Sequence, residues 1–534
     1  MRMDHFFIRI FFFKQQQATT PSSNPLPKTP GLQEGYMGMP SFCHFKLLVF
    51  LFAFSLSTIG VAQDYGDYPV IPKELLLRDL QLLHQGLDKF HSGMYWYTSK
   101  DSVDRAFERA RAAITKDMSV LQFHKIVAPL VALSREDHTD IALPKITRTA
   151  MKAQASFLPL TVVFLGKDAY VTRNGSNDNN VEIGSKILRI NGEPMDAIVE
   201  KLGTLFASDG YVESVKRSDL SGFSFARNYY YHYGNLANYW VEFEDTSIVL
   251  LSLRLNQIQE NLKRRRKGSS MTSDDEEMLE FKVLNDSTAY LAVHSFGTAD
   301  IRSGKTHKRL APFLKKSFAT IEANGIQHLI LDLSENGGGK EGNENLVFSY
   351  LADNYQKYLK VRAKTQKAVL DNGTDKPIKL KTFGWLERTL VNKKMPDGSY
   401  ERKESPGHGL KAYRKEPKYK FKGKLYVLVS PITYSGGSEL ANMLYTRGRA
   451  TFIGQETGGG YYGNTSGYSA SLTLPHSKIK IYIPALQFMM NVKKDIPFGR
   501  GVLPHHLVIP TFEAYQKGEP AALNFALRLI QGKE

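Results

Sequence analysis

The sequence predicts a multidomain chain with an α/β core, preceded by an N-terminal helical domain and a smaller α+β domain. Three observations predict it. Apolar residues recur at helical spacing from Ile71 to Leu133, the pattern changes to short strands and tight turns over 156–250, and strand and helix alternate from Thr288 to Ile483. A chain of 534 residues is also too long for one ordinary core and suggests about three domains.

Residues 1–62 read as a leader. The flank His44-Phe45-Lys46, an apolar run from Leu47 to Ile59 and the small residues Gly60-Val61-Ala62 form a secretory signal peptide cleaved after Ala62, with 1–36 as a spurious upstream extension. Export to a periplasmic or extracellular space follows, with no stable membrane insertion after cleavage. The single cysteine, Cys43, lies in this leader, so disulfides, thiolate catalysis and cysteine metal sites are excluded from the mature chain. The histidines show no ligand spacing, so neither a metal nor an organic cofactor is expected.

The front helical domain spans 63–150. Leu76, Leu77, Leu80, Leu83 and Leu87 mark one helix, Phe107, Ala110 and Ile114 another, and Val120 to Leu133 a third. The domain ends at Ser134-Arg135-Glu136-Asp137-His138-Thr139. Over 151–253, Leu160 to Phe164 and Ala169 to Val171 read as strands, Gly184 to Gly192 as a strand running into a tight turn, and Asp196 to Leu202 as a short amphipathic helix. The stretch Gly184-Ser-Lys-Ile-Leu-Arg-Ile-Asn-Gly192 resembles the corresponding part of PDZ domains, which bind extended peptide ends by strand addition; it also suits an ordinary strand and turn.

Residues 254–280 are polar and charged, a linker or exposed loop. The basic run Lys263–Lys267 is followed there by acidic Asp274–Glu277. The formal charge of +17 is otherwise scattered, without the basic stripe or motif of a nucleic-acid binder.

The α/β core occupies 281–534. Thr288–Val293, His328–Leu333, Leu425–Ser430 and Lys478–Ile483 read as strands, and Ala311–Asn324 and Gly437–Arg447 as helices. Two strand-to-turn elements carry the chemistry. In Thr433-Tyr434-Ser435-Gly436-Gly437-Ser438 a buried strand meets a helix, so the Ser435 hydroxyl sits at a helix N-terminus where N–H groups stabilise developing negative charge. A plain N-cap by Ser438 fits the same residues. In Asp332-Leu333-Ser334-Glu335-Asn336-Gly337-Gly338-Gly339 three glycines lie beyond a strand end, where open α/β sheets bind ligands. The N–H groups of Gly436, Gly337 and Gly338 would form an oxyanion hole. A phosphate-binding loop is excluded, because Gly339-Lys340 is followed by Glu341 rather than Ser or Thr.

Together with Gly454-Gln-Glu456-Thr-Gly458-Gly459 and Arg500-Gly-Val-Leu-Pro504, these motifs resemble the C-terminal processing peptidase and tricorn-core family of serine peptidases, in order and spacing from about 281 to 512. The resemblance implies hydrolysis of peptides or unfolded protein segments through an acyl-enzyme on Ser435. One branch of the family activates its serine with a Gly-Lys-Gly lysine; here the position reads Gly458-Gly459-Gly460-Tyr461, which leaves the histidine branch. Its Asp-His-Thr phrase is matched at Asp137-His138-Thr139, making His138 the general base.

The acid that orients the histidine often precedes Gly-Val-x-Pro in the family; Asp495 is the nearest acid here, with Glu456 or Asp137 as alternatives. Gly458 and Gly459 would line the substrate site. Leu474 to Ile481 resembles the edge strand along which an extended substrate lies, through Ile479 and Ile481, and equally suits a core strand. A scaffold that binds peptides or hydrophobic ligands without turnover is the other function this chain would support; a purely structural envelope protein would not need the paired glycine turns.

Overall fold

Leu76, Leu80, Leu83 and Leu87 fall on one face of the first helix, Lys73–Phe90, and all four are buried. The next two helices begin on side-chain caps: Ser99 accepts the N–H of Ser102 before Lys100–Ala113, and Ser119 with Gln122 forms a capping box before Val120–Ala132. The computed structural model describes residues 68–265, 277–303, 309–404, 410 and 416–534, so the leader and Cys43 lie outside the described residues. Tyr65–Glu534 forms one compact unit, and among the described residues no helix is long and apolar enough to cross a membrane.

The middle segment is an antiparallel sheet in the order Ser247–Leu251, Asn238–Phe243, Lys186–Ile190, Asp168–Asn174 and Leu160–Leu165. Asn191 and Gly192 both take positive φ, 54° and 79°, the backbone that closes a two-residue hairpin between Lys186–Ile190 and Glu193–Pro194. Ile198, Leu202, Phe225 and Tyr229 from two short helices complete the apolar layer against it. Part of the expected linker is ordered instead. Leu255–Arg265 is a helix, because Ile258 and Asn261 turn inward and Asn261 Nδ2 donates to the Gly175 and Ser176 carbonyls at 2.9 and 3.1 Å.

In the core, the strands run in the order Leu279–Asn285, Thr288–Val293, His328–Asp332, Lys424–Val429, Ala450–Gly454 and His506–Leu507. The first pair is antiparallel and every later pair parallel. Leu310–Ala323 and Gly436–Thr446 are crossover helices, and Ala521–Ile530 packs on the opposite face. Because His328–Asp332 and Lys424–Val429 are parallel neighbours in register, the loops after both leave the sheet at the same end.

A second sheet joins the core to the front. Lys480–Met490 pairs with Gly463–Thr473 along one edge, and along the other with Asp140–Ala142 and Tyr358–Ala363. The expected edge strand is thus a central one. Ile481 is opposite Leu472 on one side and Ile141 on the other, and Ile479 and Ile481 are fully buried in the cluster shared with the front helices. Neither isoleucine can line a substrate groove.

Candidate active site

Ser435 stands between the strand Lys424–Val429 and the helix Gly436–Thr446 with φ 48° and ψ −122°. A non-glycine residue in this region costs about 1–3 kcal/mol and persists only where its surroundings impose it. They do so here. Thr433 Oγ1 donates to the Leu333 carbonyl at 2.8 Å, the Tyr434 N–H donates to the Asn336 carbonyl at 2.9 Å, and the Gly437 N–H closes back on the Tyr434 carbonyl at 2.8 Å. The turn is thereby tied to the neighbouring glycine loop, and Ser435 keeps partial exposure at the positive end of an 11-residue helix.

Gly338 lies against the serine. With φ +96° it occupies backbone that L side chains rarely adopt, and a Cβ there would come within 2.6 Å of Ser435 Cβ and 2.8 Å of Gly436 N. Its own N–H is already given to Asn336 Oδ1 at 2.9 Å, so the expectation that it donates to an oxyanion is corrected: it supplies the close approach instead. The N–H groups of Gly436 and Gly337 have no acceptor among the described residues, and the space around the Gly337 α-carbon is open. Gly458 and Gly459 pass behind the turn, both donating to the Thr433 carbonyl, at 3.0 and 3.3 Å. A Cβ on Gly459 would stand 2.4 Å from Ser438 Oγ and 3.3 Å from Ser435 N, so its role here is packing behind the serine.

His138 sits at the corner of a turn closed by the Thr139 N–H on the Glu136 carbonyl, 2.9 Å, and its ring lies 5.8 Å from that of Tyr434, the residue before Ser435. Each neighbour of His138 is anchored elsewhere. Glu136 Oε2 accepts the Thr465 N–H at 2.7 Å, the Asp137 N–H donates to Asp209 Oδ1 at 2.9 Å, and Thr139 Oγ1 is 2.7 Å from His91 Nε2. Since His91 Nδ1 accepts the Gly93 N–H at 3.0 Å, its ring proton is on Nε2 and is donated to Thr139. Burial, aided by the Lys364 charge, lowers the His91 pKa to about 3, so the ring is neutral. Burial first, and then the Asp209 charge, pushes the Glu136 carboxyl well above the ordinary 4.5.

Two of the acids expected to orient the histidine, Asp495 and its alternative Glu456, are engaged elsewhere. Glu456 receives Arg500 bidentately at 2.8 and 2.6 Å and also accepts the Gly501 N–H at 2.9 Å; Asp495 accepts the Tyr461 hydroxyl at 3.1 Å. Beneath the serine helix, fully buried Lys357 bonds Glu344 at 2.6 Å and Glu439 at 3.0 Å. Burial alone would discharge this lysine, yet the two carboxylates hold its pKa well above 10.5. Asp209, Glu136, His91 and Lys357 were not identifiable from sequence: Asp209-Gly210 spells only a turn, and the others stand among polar neighbours with nothing local to mark them as buried.

A serine in a strained turn at a helix N-terminus, faced by a glycine loop at the same sheet end, defines a serine-hydrolase type of site on an α/β sheet. Residues 287–506 match the model of peptidase family S41, and the chain carrying that domain is a serine peptidase, a hydrolase acting on peptide or protein substrates. The fold resembles the crystal structure of mature CPAF, with a TM-score of 0.55 at 13% identity over 86% of this chain and 98% of that one. Mature CPAF complexed with lactacystin is similar to the same degree, 0.55 at 14% identity over 86% and 98%. The photosystem II D1 C-terminal processing protease matches at a TM-score of 0.34 and 14% identity over 84% and 98%. No curated protein matches the sequence.

Proposed function

We propose that this chain cleaves peptide bonds through an acyl-enzyme on Ser435, with His138 as general base. The observation that carries the proposal is the juxtaposition at one sheet end of a strained Ser435, the glycine-lined face at Gly338 and the His138 ring against Tyr434. In the forward step His138 takes the Ser435 proton as Oγ attacks the scissile carbonyl, the N–H groups of Gly436 and Gly337 receive the oxyanion, and the imidazolium returns the proton to the departing amine. A water deprotonated by the same histidine then releases the acyl group. With Asp495 and Glu456 bonded to Tyr461 and Arg500, Asp137 is the expected acid that best suits orientation of the histidine.

The finer organisation belongs to the same proposal: a leader over 1–62 directing export, a helical front domain over 63–150 carrying the base, a PDZ-like domain over 151–253 binding peptide ends, and the nucleophile domain over 281–534. Intact-mass measurement of the chain mixed with an activated acyl ester tests the central step. One added acyl group, mapping to the peptide that contains Ser435, is expected; no adduct, or one on another residue, contradicts it.

A further inference from the structure

Asp209 is 1% exposed, and its two carboxylate oxygens are used on two different segments. Oδ1 accepts the N–H of Asp137 at 2.9 Å, and Oδ2 accepts the N–H of Gly460 at 3.1 Å. One of these partners precedes His138 directly. The other follows Gly459, whose α-carbon backs onto Ser435 N and Ser438 Oγ. The loop bearing Asp209 is itself fixed on its C-terminal side. Gly210 N–H donates to the Arg135 carbonyl at 2.9 Å, Arg135 Nη1 returns a bond to the Gly210 carbonyl at 3.2 Å, and Tyr211 N–H donates to the Gly499 carbonyl at 2.6 Å.

We infer that Asp209 is a positioning residue for the peptidase reaction: a single buried carboxylate sets the spacing between the His138 turn and the backing of the Ser435 turn. The inference rests on the assignment of His138 and Ser435 as base and nucleophile. Its physical basis is that a buried carboxylate accepting two backbone N–H groups is a strong, directional bridge, and that a displacement of about 1 Å at a reacting pair costs on the order of 10²-fold in rate. An asparagine would keep one acceptor and turn an N–H2 toward the other N–H, breaking one arm with almost no change in volume.

The experiment is a double-mutant cycle on the full mature chain, reading the rate of fluorophosphonate labelling at Ser435 together with kcat and KM for a peptide substrate. Asp209→Asn is expected to lower the labelling rate and kcat on the order of 10²-fold with KM nearly unchanged. In the His138→Ala background the same substitution is expected to have no further effect, since its influence passes through the base. A purely structural role would instead lower the active fraction equally in both backgrounds. Undiminished rates in Asp209→Asn, or full additivity with His138→Ala, would overturn the inference. If the asparagine variant does not fold, Asp209→Glu, which keeps the charge and shifts both oxygens, is expected to show the same non-additivity, and additivity there would overturn the inference equally. A wild-type chain that does not label at Ser435 overturns the nucleophile assignment itself, an outcome distinct from failure of the Asp209 bridge alone.

Discussion

Ser435 and His138 are held in place by different means. Ser435 takes its conformation from the strand, turn and helix it joins and from two loops that bond that turn, one at Leu333 and Asn336 and one at Gly458-Gly459, all at one end of a single sheet. The His138 turn lies between the helix Val120–Ala132 and the three-residue strand Asp140–Ala142, and its further anchors come from far along the chain, 48 residues away at His91, 72 at Asp209 and 329 at Thr465. The nucleophile therefore sits where adjacent parallel strands deliver their loops side by side, whereas the base is placed chiefly by buried side-chain contacts between segments far apart in the chain. Such contacts specify position sharply and are costly when broken, because they leave unpaired buried groups behind.

The largest effects expected on either side of this comparison are those of the reacting residues. Ser435→Ala and His138→Ala should each lower kcat on the order of 10⁵- to 10⁶-fold, and the double variant little further, because the two act as a unit. Steady-state hydrolysis of a peptide substrate checks this. Independent, multiplying losses would break the pairing.

On the serine side, Gly338→Ala should lower kcat about 10²- to 10³-fold, through a methyl group forced against Ser435 and the Gly436 N–H. It should also destabilise the fold by about 1–3 kcal/mol, because alanine is strained at φ +96°. Urea unfolding alongside kinetics separates the two effects.

On the histidine side the signature is pH. His91 and His124 are buried and neutral, lowered to about 3 and about 4, by burial first in each case. Their stabilisation is complete above the ordinary 6.5 and is lost as pH falls through the window down to those values, about 2 kcal/mol each at pH 5. Urea midpoints at pH 7 and pH 5 should therefore fall on acidification, and His124→Gln should remove part of that slope; an unchanged slope would contradict the assignment.

Glu136 gives an effect of opposite sign. With its pKa raised in the fold, its contribution is complete below 4.5 and is lost as pH rises from there. Glu136→Gln should accordingly gain stability relative to the wild type between pH 5 and pH 8, measured by the same midpoints.

The same division explains what could be read from the sequence. The strands at His328–Asp332 and Lys424–Val429, the helix from Gly436 and the hairpin at Asn191-Gly192 follow from periodicity and turn residues, which are local signals. The central position of Lys480–Met490 does not. A strand with alternating lysines suits an edge until Asp140–Ala142, more than 300 residues earlier in the chain, occupies its free side. The helix over Leu255–Arg265 was obscured by its charge, although Ile258 and Asn261 are buried and Leu255 and Leu262 pack against the front core. At the site, Ser435 and His138 stand in recognisable phrases, whereas Asp209 and Glu136 acquire their roles only from where the chain returns.

Labelling of the purified chain with a fluorophosphonate, followed by peptide mass analysis, shows whether Ser435 is an activated nucleophile. A single adduct on Ser435 is expected, absent in Ser435→Ala and strongly slowed in His138→Ala. Labelling of Ser435 at an undiminished rate in His138→Ala, or an adduct on a different residue, would contradict the assignment of Ser435 and His138.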